Sequence, residues 1–234
     1  MWRGFMAVRV EEPPKRGGGK PLYIDLGVLN LATIWSEGMR QPIAFSGRAV
    51  LADWWYWTRR IAREQSRLAN VNKARSSRRI RRMYRIRKRR FRHAVNAMVK
   101  VIVEYAFRSG VSKIVVGDLK GIRNDNHKNG KANSMVHNFW SYRWVVQRLR
   151  EKAEEYGITV EEVSEYKTSS ICPFCGSEGV RKRRGLFYCP RCNKVMNADV
   201  IGVLNIARMN GTIIPSPSWR DRDNGLVAYI FTLF

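Results

Sequence analysis

The sequence predicts an α/β protein in which a mixed sheet is flanked by helices and carries a small metal-binding insertion. Three observations support this prediction. Short β-branched segments near the start of the chain, and again over residues 113–116 and 158–163, alternate with long stretches of helical spacing. Two Cys-x-x-Cys pairs, separated by thirteen residues, interrupt this alternation in the last third of the chain. The 234 residues suffice for one full domain with such an insertion.

The first strands are predicted where apolar residues cluster between turns. Residues 22–27 form a buried strand, and residues 28–30 turn the chain into a second strand over 31–35. A third strand around 42–45 completes an antiparallel meander. The preceding residues 1–20 end in a Pro-Pro pair and three glycines, so we expect a flexible, basic lead-in.

A basic helical hairpin is predicted over residues 51–109. Helical spacing without proline covers 51–70 and 76–109, and residues 59–92 hold sixteen Lys or Arg residues and a single acid, Glu64. Like charges at this density repel one another along a helix, and a bound polyanion would relieve the repulsion. The alternative interpretation is that these charged residues only keep the surface of the hairpin solvated and bind no partner. The arginines of the hairpin expected to bind nucleic acid are Arg59, Arg63, Arg67, Arg78, Arg82, Arg85 and Arg89.

The second half of the chain continues the alternation of strands and helices. Strands are predicted over 113–116 and 158–163, and helices over 138–156 and 197–209. A polar, Gly- and Asn-rich segment, residues 118–136, is expected to be a mobile loop placed like a lid, with His127 and Lys128 able to touch a substrate. A tail over 211–234 is expected to lack regular structure, and its apolar last ten residues are expected to dock onto the core or a partner.

The composition indicates a partner rich in phosphate. Lys and Arg outnumber Asp and Glu by 44 to 19, which gives a formal net charge of +25. Such an excess favours binding of a polyanion, and nucleic acid is the obvious one. We find no apolar run long enough to span a bilayer and no signal peptide at the N-terminus, so we expect a cytoplasmic protein without a membrane partner.

The cysteines predict a structural zinc site. The four sulfurs of Cys172, Cys175, Cys189 and Cys192 match the spacing of a zinc ribbon, and an all-sulfur ligand set favours zinc. Two disulfides are the alternative, which a reducing compartment disfavours. The ribbon is expected over residues 169–196. Its Arg183 and Arg184 are expected to bind phosphates, although such residues can also simply brace a loop.

The first predicted strand carries an acid. Asp25 is flanked by Ile24 and Leu26, where an unpaired carboxylate is costly to bury. An aspartate in the first strand, followed by Leu-Gly and a tight return, is typical of an RNase H-like fold. That domain is expected over 21–168 and 197–210, with the hairpin and the ribbon as insertions.

Four segments together resemble the TnpB family, the transposon-encoded OrfB proteins related to type V CRISPR effectors. The segments are residues 24–33, 114–119, 166–176 and 197–206. The resemblance implies a RuvC-type nuclease domain that cuts DNA under the direction of a guide-type RNA, whose pairing supplies the sequence specificity. It also implies an N-terminal module, which we expect to be missing here or reduced to residues 2–10.

The resemblance implies that Asp25 and Asp199 are catalytic, since each stands at the acidic position of its family motif. Two Mg²⁺ ions held by clustered carboxylates would activate water and neutralise the leaving oxygen. The alternatives are a strand-end turn residue for Asp25 and a first-turn helix acid for Asp199. The central motif of the family carries Glu where this chain has Gly117.

We expect Glu165 to replace that missing glutamate. It follows the strand over 158–163, at the edge where α/β sheets gather ligands, and a longer side chain on a neighbouring strand could occupy the same volume. Asp118 is the alternative third ligand, and a surface acid is the alternative interpretation of Glu165.

Three functions are therefore compared. The first is a Mg²⁺-dependent DNA endonuclease of the TnpB type that is associated with RNA. The second is a nuclease-inactive or truncated relative that binds RNA or DNA as a regulator. The third is a basic zinc-ribbon protein that binds RNA, which would leave Asp25 and Asp199 without a role.

Overall fold

The computed structural model of the protein describes residues 13–74, 76–118, 141–165, 168–183, 185–215 and 227–229. Within these ranges the chain forms a six-stranded sheet, a separate three-stranded sheet and four long helices. None of the helices in the described ranges is long and apolar enough to cross a membrane.

The larger sheet is mixed, as predicted. Its strands are β1 (Pro21–Asp25), β2 (Asn30–Ser36), β3 (Ile43–Ser46), β4 (Lys113–Asp118), β5 (Thr159–Ser164) and β9 (Val227–Tyr229). Their spatial order is β5-β4-β1-β2-β3-β9. The first three strands form the predicted antiparallel meander, β4 lies parallel to β1, and β5 lies parallel to β4. The carboxyl ends of β1, β4 and β5 therefore lie at the same edge of the sheet.

The C-terminal tail contains one strand that the sequence analysis did not predict. Residues 227–229, expected to lack regular structure, form β9 and pair in parallel with β3. The pairing satisfies backbone groups that β3 would otherwise leave free at the edge of the sheet. A partner so distant in sequence is invisible to local periodicity.

Helices cover both faces of the larger sheet. They are α1 (Arg48–Asn72), α2 (Arg78–Arg108), α3 (Tyr142–Glu154) and α4 (Ala198–Met209). Side chains alternate across β1, so Leu22 and Ile24 pack under α2 and α3, whereas Tyr23 faces α4 on the opposite side. The sheet is thus the central layer between the two groups of helices. These helices and strands match the predicted ones to within a few residues where the structure describes them.

Helices α1 and α2 form the predicted basic hairpin. Lys73 ends α1 in the left-handed conformation, with φ 50°, and the Ser77 hydroxyl caps α2 by accepting a hydrogen bond from Ile80 N at 3.2 Å. Trp54 is buried and packs edge-on against Phe91, with ring centroids 5.8 Å apart. Trp54 is therefore a packing residue of the hairpin.

The smaller sheet contains β6 (Val180–Arg183), β7 (Leu186–Cys189) and β8 (Lys194–Asn197), all antiparallel. Its core consists of Phe187, Met196 and two of the cysteines, and Ile201 of α4 packs into it. Strand β8 ends at Asn197 and α4 begins at the next residue. The small sheet is therefore continuous in sequence with one of the helices on the larger sheet.

The described part of the lead-in is attached to the domain. Arg16 N donates to Gly157 O at 3.0 Å, and its guanidinium donates to Phe107 O at 3.0 Å while lying over the Phe107 ring. The predicted loop over 118–136 lies outside the described residues except for Asp118, which ends β4. His127 and Lys128 lie outside them as well.

Candidate active site and cysteine cluster

Three predicted acids come from three different elements that meet at one edge of the sheet. Asp25 is the last residue of β1, Glu165 directly follows β5, and Asp199 lies in the first turn of α4. Each retains partial contact with solvent. Carboxyl ends of parallel strands are where α/β proteins gather ligands, and this placement follows that rule.

The electrostatics of Asp25 show that the three acids interact. Burial raises the pKa of Asp25 well above its usual value, and repulsion from Glu165 and from Asp199 raises it further. Arg181 of β6 acts in the opposite direction on the pKa of both aspartates. Asp25 therefore lies near both Glu165 and Asp199, and near Arg181 of the small sheet.

A glycine allows α4 to approach Asp25 closely. A Cβ added to Gly202 would overlap Asp25 Oδ2 and lie 3.0 Å from Asp25 Cγ. Any side chain at this position would therefore push either the helix or the carboxylate away. Sequence reasoning did not identify Gly202, although it lies inside the segment 197–206 that carries the family resemblance.

Gly117 and Glu165 compete for one volume. A Cβ added to Gly117 would overlap Glu165 Oε1 and lie 2.6 Å from both Cγ and Cδ of Glu165. The strand register explains this geometry, because Gly117 pairs with Val163 and Glu165 lies two residues beyond. The Glu165 carboxyl thus occupies the space into which a side chain at position 117 would extend.

The Glu165 carboxyl is poorly solvated. Burial first, and then repulsion from Asp118, raises its pKa to about 7. Within the described residues, no hydrogen-bond donor reaches Glu165 Oε1, which is itself buried. A buried acceptor without a donor is costly unless something else satisfies it, and a cation would do so.

Asp118, the alternative to Glu165, lies at the end of β4 beside the same cluster. Its charge raises the pKa of both Glu165 and Tyr142. Tyr142 is buried and donates its hydroxyl to Gly117 O at 2.9 Å and to Glu162 Oε2 at 3.1 Å. It therefore ties the start of α3 to the end of β4. Sequence reasoning missed Tyr142, whose position gave no signal beyond the start of a predicted helix.

Asp199 is held by two asparagines. Its backbone N–H donates to Asn197 Oδ1 at 2.8 Å, which caps α4, and its carboxylate accepts a hydrogen bond from Asn30 Nδ2 at 2.6 Å. Burial raises the pKa of Asp199, and the Asn30 hydrogen bond acts against that rise. Asn30 was not predicted as a site residue, although it lies within the segment 24–33.

The four cysteines converge as predicted. Their sulfur atoms all lie within 4.8 Å of one another, and of the groups of three or more potential metal ligands in the described residues only this one is so compact. The sulfurs of Cys172 and Cys192 are 3.8 Å apart, and those of Cys175 and Cys189 are 3.5 Å apart. Four sulfurs in this arrangement fit a tetrahedral zinc ion.

The cysteine cluster is fastened to α4. Asn205 is buried and donates to Thr168 O and to Ile171 O, both at 2.6 Å. Near the end of the helix, Arg208 Nη1 donates to Cys172 O at 3.3 Å. One helix therefore carries an acid of the candidate site at its start and supports the cysteine cluster along its length.

The basic hairpin presents its arginines to solvent. All seven predicted arginines of the hairpin are exposed, and Arg67 pairs with Glu64 at 3.0 Å. Arg87, which was not selected, instead stacks over Trp54 at 4.1 Å from the ring centroid. The Arg183 side chain and all of Arg184 lie outside the described part of the chain. Exposed cations at this density form a surface suited to a phosphate backbone.

Comparison with known proteins identifies the class. A family described as a probable transposase, OrfB of the IS605 type, matches residues 5–123, and the TNB domain of Cas12f1-like proteins matches residues 142–206. The first match spans 119 of the 234 residues. The chain therefore belongs to the OrfB family, whose members are also called TnpB.

Individual relatives agree with this assignment. The TnpB-like protein ORF457 of Acidianus two-tailed virus is 30% identical over 202 residues, which are 83% of this chain and 42% of that protein. The CRISPR-associated endodeoxyribonuclease Cas12f1 of Sulfoacidibacillus thermotolerans is 33% identical over 113 residues, 47% of this chain and 25% of the relative. The chain thus spans less than half the length of these relatives.

The fold also matches a solved structure. The cryo-EM structure of a CRISPR-Cas12f ternary complex contains a chain that superposes with a TM-score of 0.64 at 19% identity, over 90% of this chain and 42% of that one. The predicted α/β architecture is therefore confirmed as that of the matching part of the Cas12f chain.

Proposed function

We propose that this chain carries an RNase H-like, RuvC-type nuclease site that hydrolyses DNA in association with RNA. The observation that carries the proposal is the convergence of Asp25, Glu165 and Asp199 at one edge of the sheet, with burial and mutual repulsion raising the pKa of Asp25. Neighbouring carboxylates disfavour one another's ionised form, and a bound cation would offset that repulsion.

Asp25, Glu165 and Asp199 would hold Mg²⁺. Carboxylate oxygens are the ligands that Mg²⁺ prefers, and the buried Glu165 Oε1, which no donor reaches within the described residues, fits a cation ligand. When bound, the ions activate water and neutralise the charge that develops on the phosphodiester. Other residues of the chain orient the carboxylates. Gly202 has no side chain and so lets α4 pack close to Asp25, and Asn30 donates a hydrogen bond to Asp199.

Glu165 is proposed to stand in for the glutamate that the family has at the position of Gly117. The overlap between a Cβ at position 117 and the Glu165 carboxyl supports this role. It also offers a reason for the glycine, because Gly117 leaves the volume free for the longer side chain. Asp118 would then affect the site through its charge on Glu165.

The cysteine cluster is proposed to bind one structural zinc ion. Four protein sulfurs fill a tetrahedral shell and leave no position for water or substrate. Residues 169–196 would form this zinc ribbon, inserted into a catalytic domain over 21–168 and 197–210. Its contacts with Ile201 and Arg208 of α4 would place the ribbon beside the nuclease site.

The exposed arginines of the hairpin are proposed to contact the backbone of RNA and DNA. The net charge of +25 and the exposure of these side chains support such contacts. The cryo-EM structure of a Cas12f1 with a similar fold is a complex with sgRNA and target DNA, which fits a similar pair of partners here. Sequence specificity would then come from base pairing, with the protein binding phosphates.

The test is a cleavage assay on the full chain with the RNA that co-purifies, Mg²⁺ and DNA matching the end of that RNA. We expect the wild type to cleave the DNA. Removing a residue that only hydrogen-bonds to a metal ligand typically costs about 10- to 100-fold. Asp25→Asn alters a proposed ligand itself, so it should lose more cleavage activity than that. The matched control is Asp53→Asn, because Asp53 pairs with Arg90 in the hairpin at 2.9 Å, and it should cleave normally.

Binding must be measured beside cleavage. Asp25→Asn should retain wild-type affinity for the RNA and the DNA, since the hairpin is unchanged. If the wild type binds both but never cleaves, the chain is a nuclease-inactive regulator instead. Cleavage by Asp25→Asn at the wild-type rate would refute the proposed site.

A further inference from the structure

Asn30 makes a direct side-chain link between the first hairpin of the sheet and the helix that carries Asp199. Its Nδ2 lies 2.6 Å from Asp199 Oδ2, across 169 positions of sequence. A donor to a charged oxygen at this distance is a strong hydrogen bond. Since the acceptor is a carboxylate, the amide must present its nitrogen.

Both ends of this link are anchored by backbone contacts. Asn30 begins β2 opposite Ser46, and the adjacent Leu29 O accepts from Gly47 N at 2.7 Å. On the other side, the cap from Asn197 fixes the backbone of Asp199. The two side chains therefore meet between positions that the fold has already set, so little ordering is needed for the hydrogen bond to form.

The donor is neutral, which matters beside a cluster of acids. The hydrogen bond favours the charged form of Asp199 against the burial that disfavours it. A Lys or Arg at position 30 would do the same but would also repel a cation. An amide stabilises the carboxylate without adding a positive charge to the site.

We infer that Asn30 is a positioning residue, which holds the Asp199 carboxylate in place for a divalent cation through the hydrogen bond from its Nδ2. This inference rests on the proposed metal site. Asn30 acts through Asp199 and, like other groups that hydrogen-bond to metal ligands, it tunes the ligand rather than replacing it.

The experiment uses the full chain and two readouts. Electron paramagnetic resonance gives both: the affinity for Mn²⁺, and the line shape of the bound ion, which reports the geometry of its ligands. We expect Asn30→Ala to weaken Mn²⁺ binding by about 10- to 100-fold and to change the line shape of the bound ion. Asn30→Ser, which keeps a shorter donor, should fall between Asn30→Ala and the wild type.

The matched control is Asn96→Ala. Asn96 Oδ1 accepts a hydrogen bond from Arg148 Nε at 3.1 Å on the outer helices, so its removal should change neither readout. An Asn30→Ala protein with wild-type Mn²⁺ affinity overturns the inference. If Asn30→Ala does not fold, wild-type Mn²⁺ affinity in folded Asn30→Ser overturns it equally.

Failure of the metal site itself gives a different result. In that case the wild type would bind Mn²⁺ no better than Asp25→Asn does, whatever residue stands at position 30.

Discussion

The raised pKa of Glu165 makes a quantitative prediction about folding stability. The ordinary glutamate value is 4.5 and the folded value is about 7, with burial as the main cause. At about 1.4 kcal/mol for each pH unit, a shift of this size corresponds to about 3 kcal/mol. Because Asp25 interacts with Glu165, this amount belongs to the pair of carboxyls rather than to one residue.

The sign follows from which state binds the proton more tightly. A carboxyl with a raised folded pKa holds its proton in the native state above pH 4.5, where the unfolded chain has already released it. The free energy of unfolding therefore falls as the pH rises from about 4.5 through about 7. Glu165→Gln cannot ionise at this position, so the variant should lack this part of the pH dependence.

The assay is urea denaturation of the zinc-loaded chain, without Mg²⁺, at pH 5 and pH 8. Between these values, the wild type should lose about 3 kcal/mol more stability than Glu165→Gln, since other titrating groups affect both proteins alike. The control is Glu161→Gln, because Glu161 is an exposed residue of β5 that pairs with Lys113 at 3.1 Å. Added Mg²⁺ at pH 8 should restore stability to the wild type more than to Glu165→Gln.

Two results would contradict this reasoning. If the wild type and Glu165→Gln lose the same stability between pH 5 and pH 8, the Glu165 carboxyl is not desolvated in the folded protein. The stability lost between pH 5 and pH 8 should be the same in Glu161→Gln as in the wild type. If Glu161→Gln differs from the wild type as much as Glu165→Gln does, the effect comes from the surface charge of β5.

Two further predictions concern the remaining parts of the site. Gly117→Ala should displace the Glu165 side chain and weaken Mn²⁺ binding by about 10- to 100-fold. The control Gly17→Ala, whose added Cβ meets nothing within 4 Å, should bind Mn²⁺ like the wild type. Equal Mn²⁺ affinities of the two variants in a titration would show that Glu165 does not occupy the volume at position 117. Cys189→Ser should release the zinc ion, lower the thermal midpoint and weaken Mn²⁺ binding at the carboxylates, because α4 supports both sites. Metal analysis with calorimetry checks this result, and full Mn²⁺ affinity after zinc loss would refute the coupling.

Much of the fold could be predicted from local patterns in the sequence. The alternation along β1, the helical spacing of the basic hairpin and the spacing of the cysteines each depend on neighbours a few residues away, so they can be recognised in the sequence. The convergence of the four sulfurs confirms the prediction made from the cysteine spacing. The strand β9 was missed because its partner, β3, lies far away in the chain.

The third acid shows where sequence reasoning needs the tertiary structure. The sequence favoured Glu165, with Asp118 as the alternative. The pairing of Gly117 with Val163 brings the Glu165 carboxyl into the volume beside Gly117, a contact that the sequence could not show. A register between strands 46 positions apart depends on how whole elements pack, which periodicity does not encode.

The sequence by itself determined the class of fold and named the candidate site residues: the four cysteines through their short spacing, and the two aspartates through the resemblance of their motifs to the family. Only the tertiary structure decided which side chains meet those aspartates. Asn30 reaches Asp199 and Gly202 admits Asp25 because β1, β2 and α4 are packed together across more than 160 positions of sequence. Contacts of this range arise when buried surfaces fit one another, and that fit belongs to the assembled sheet and helices rather than to any segment.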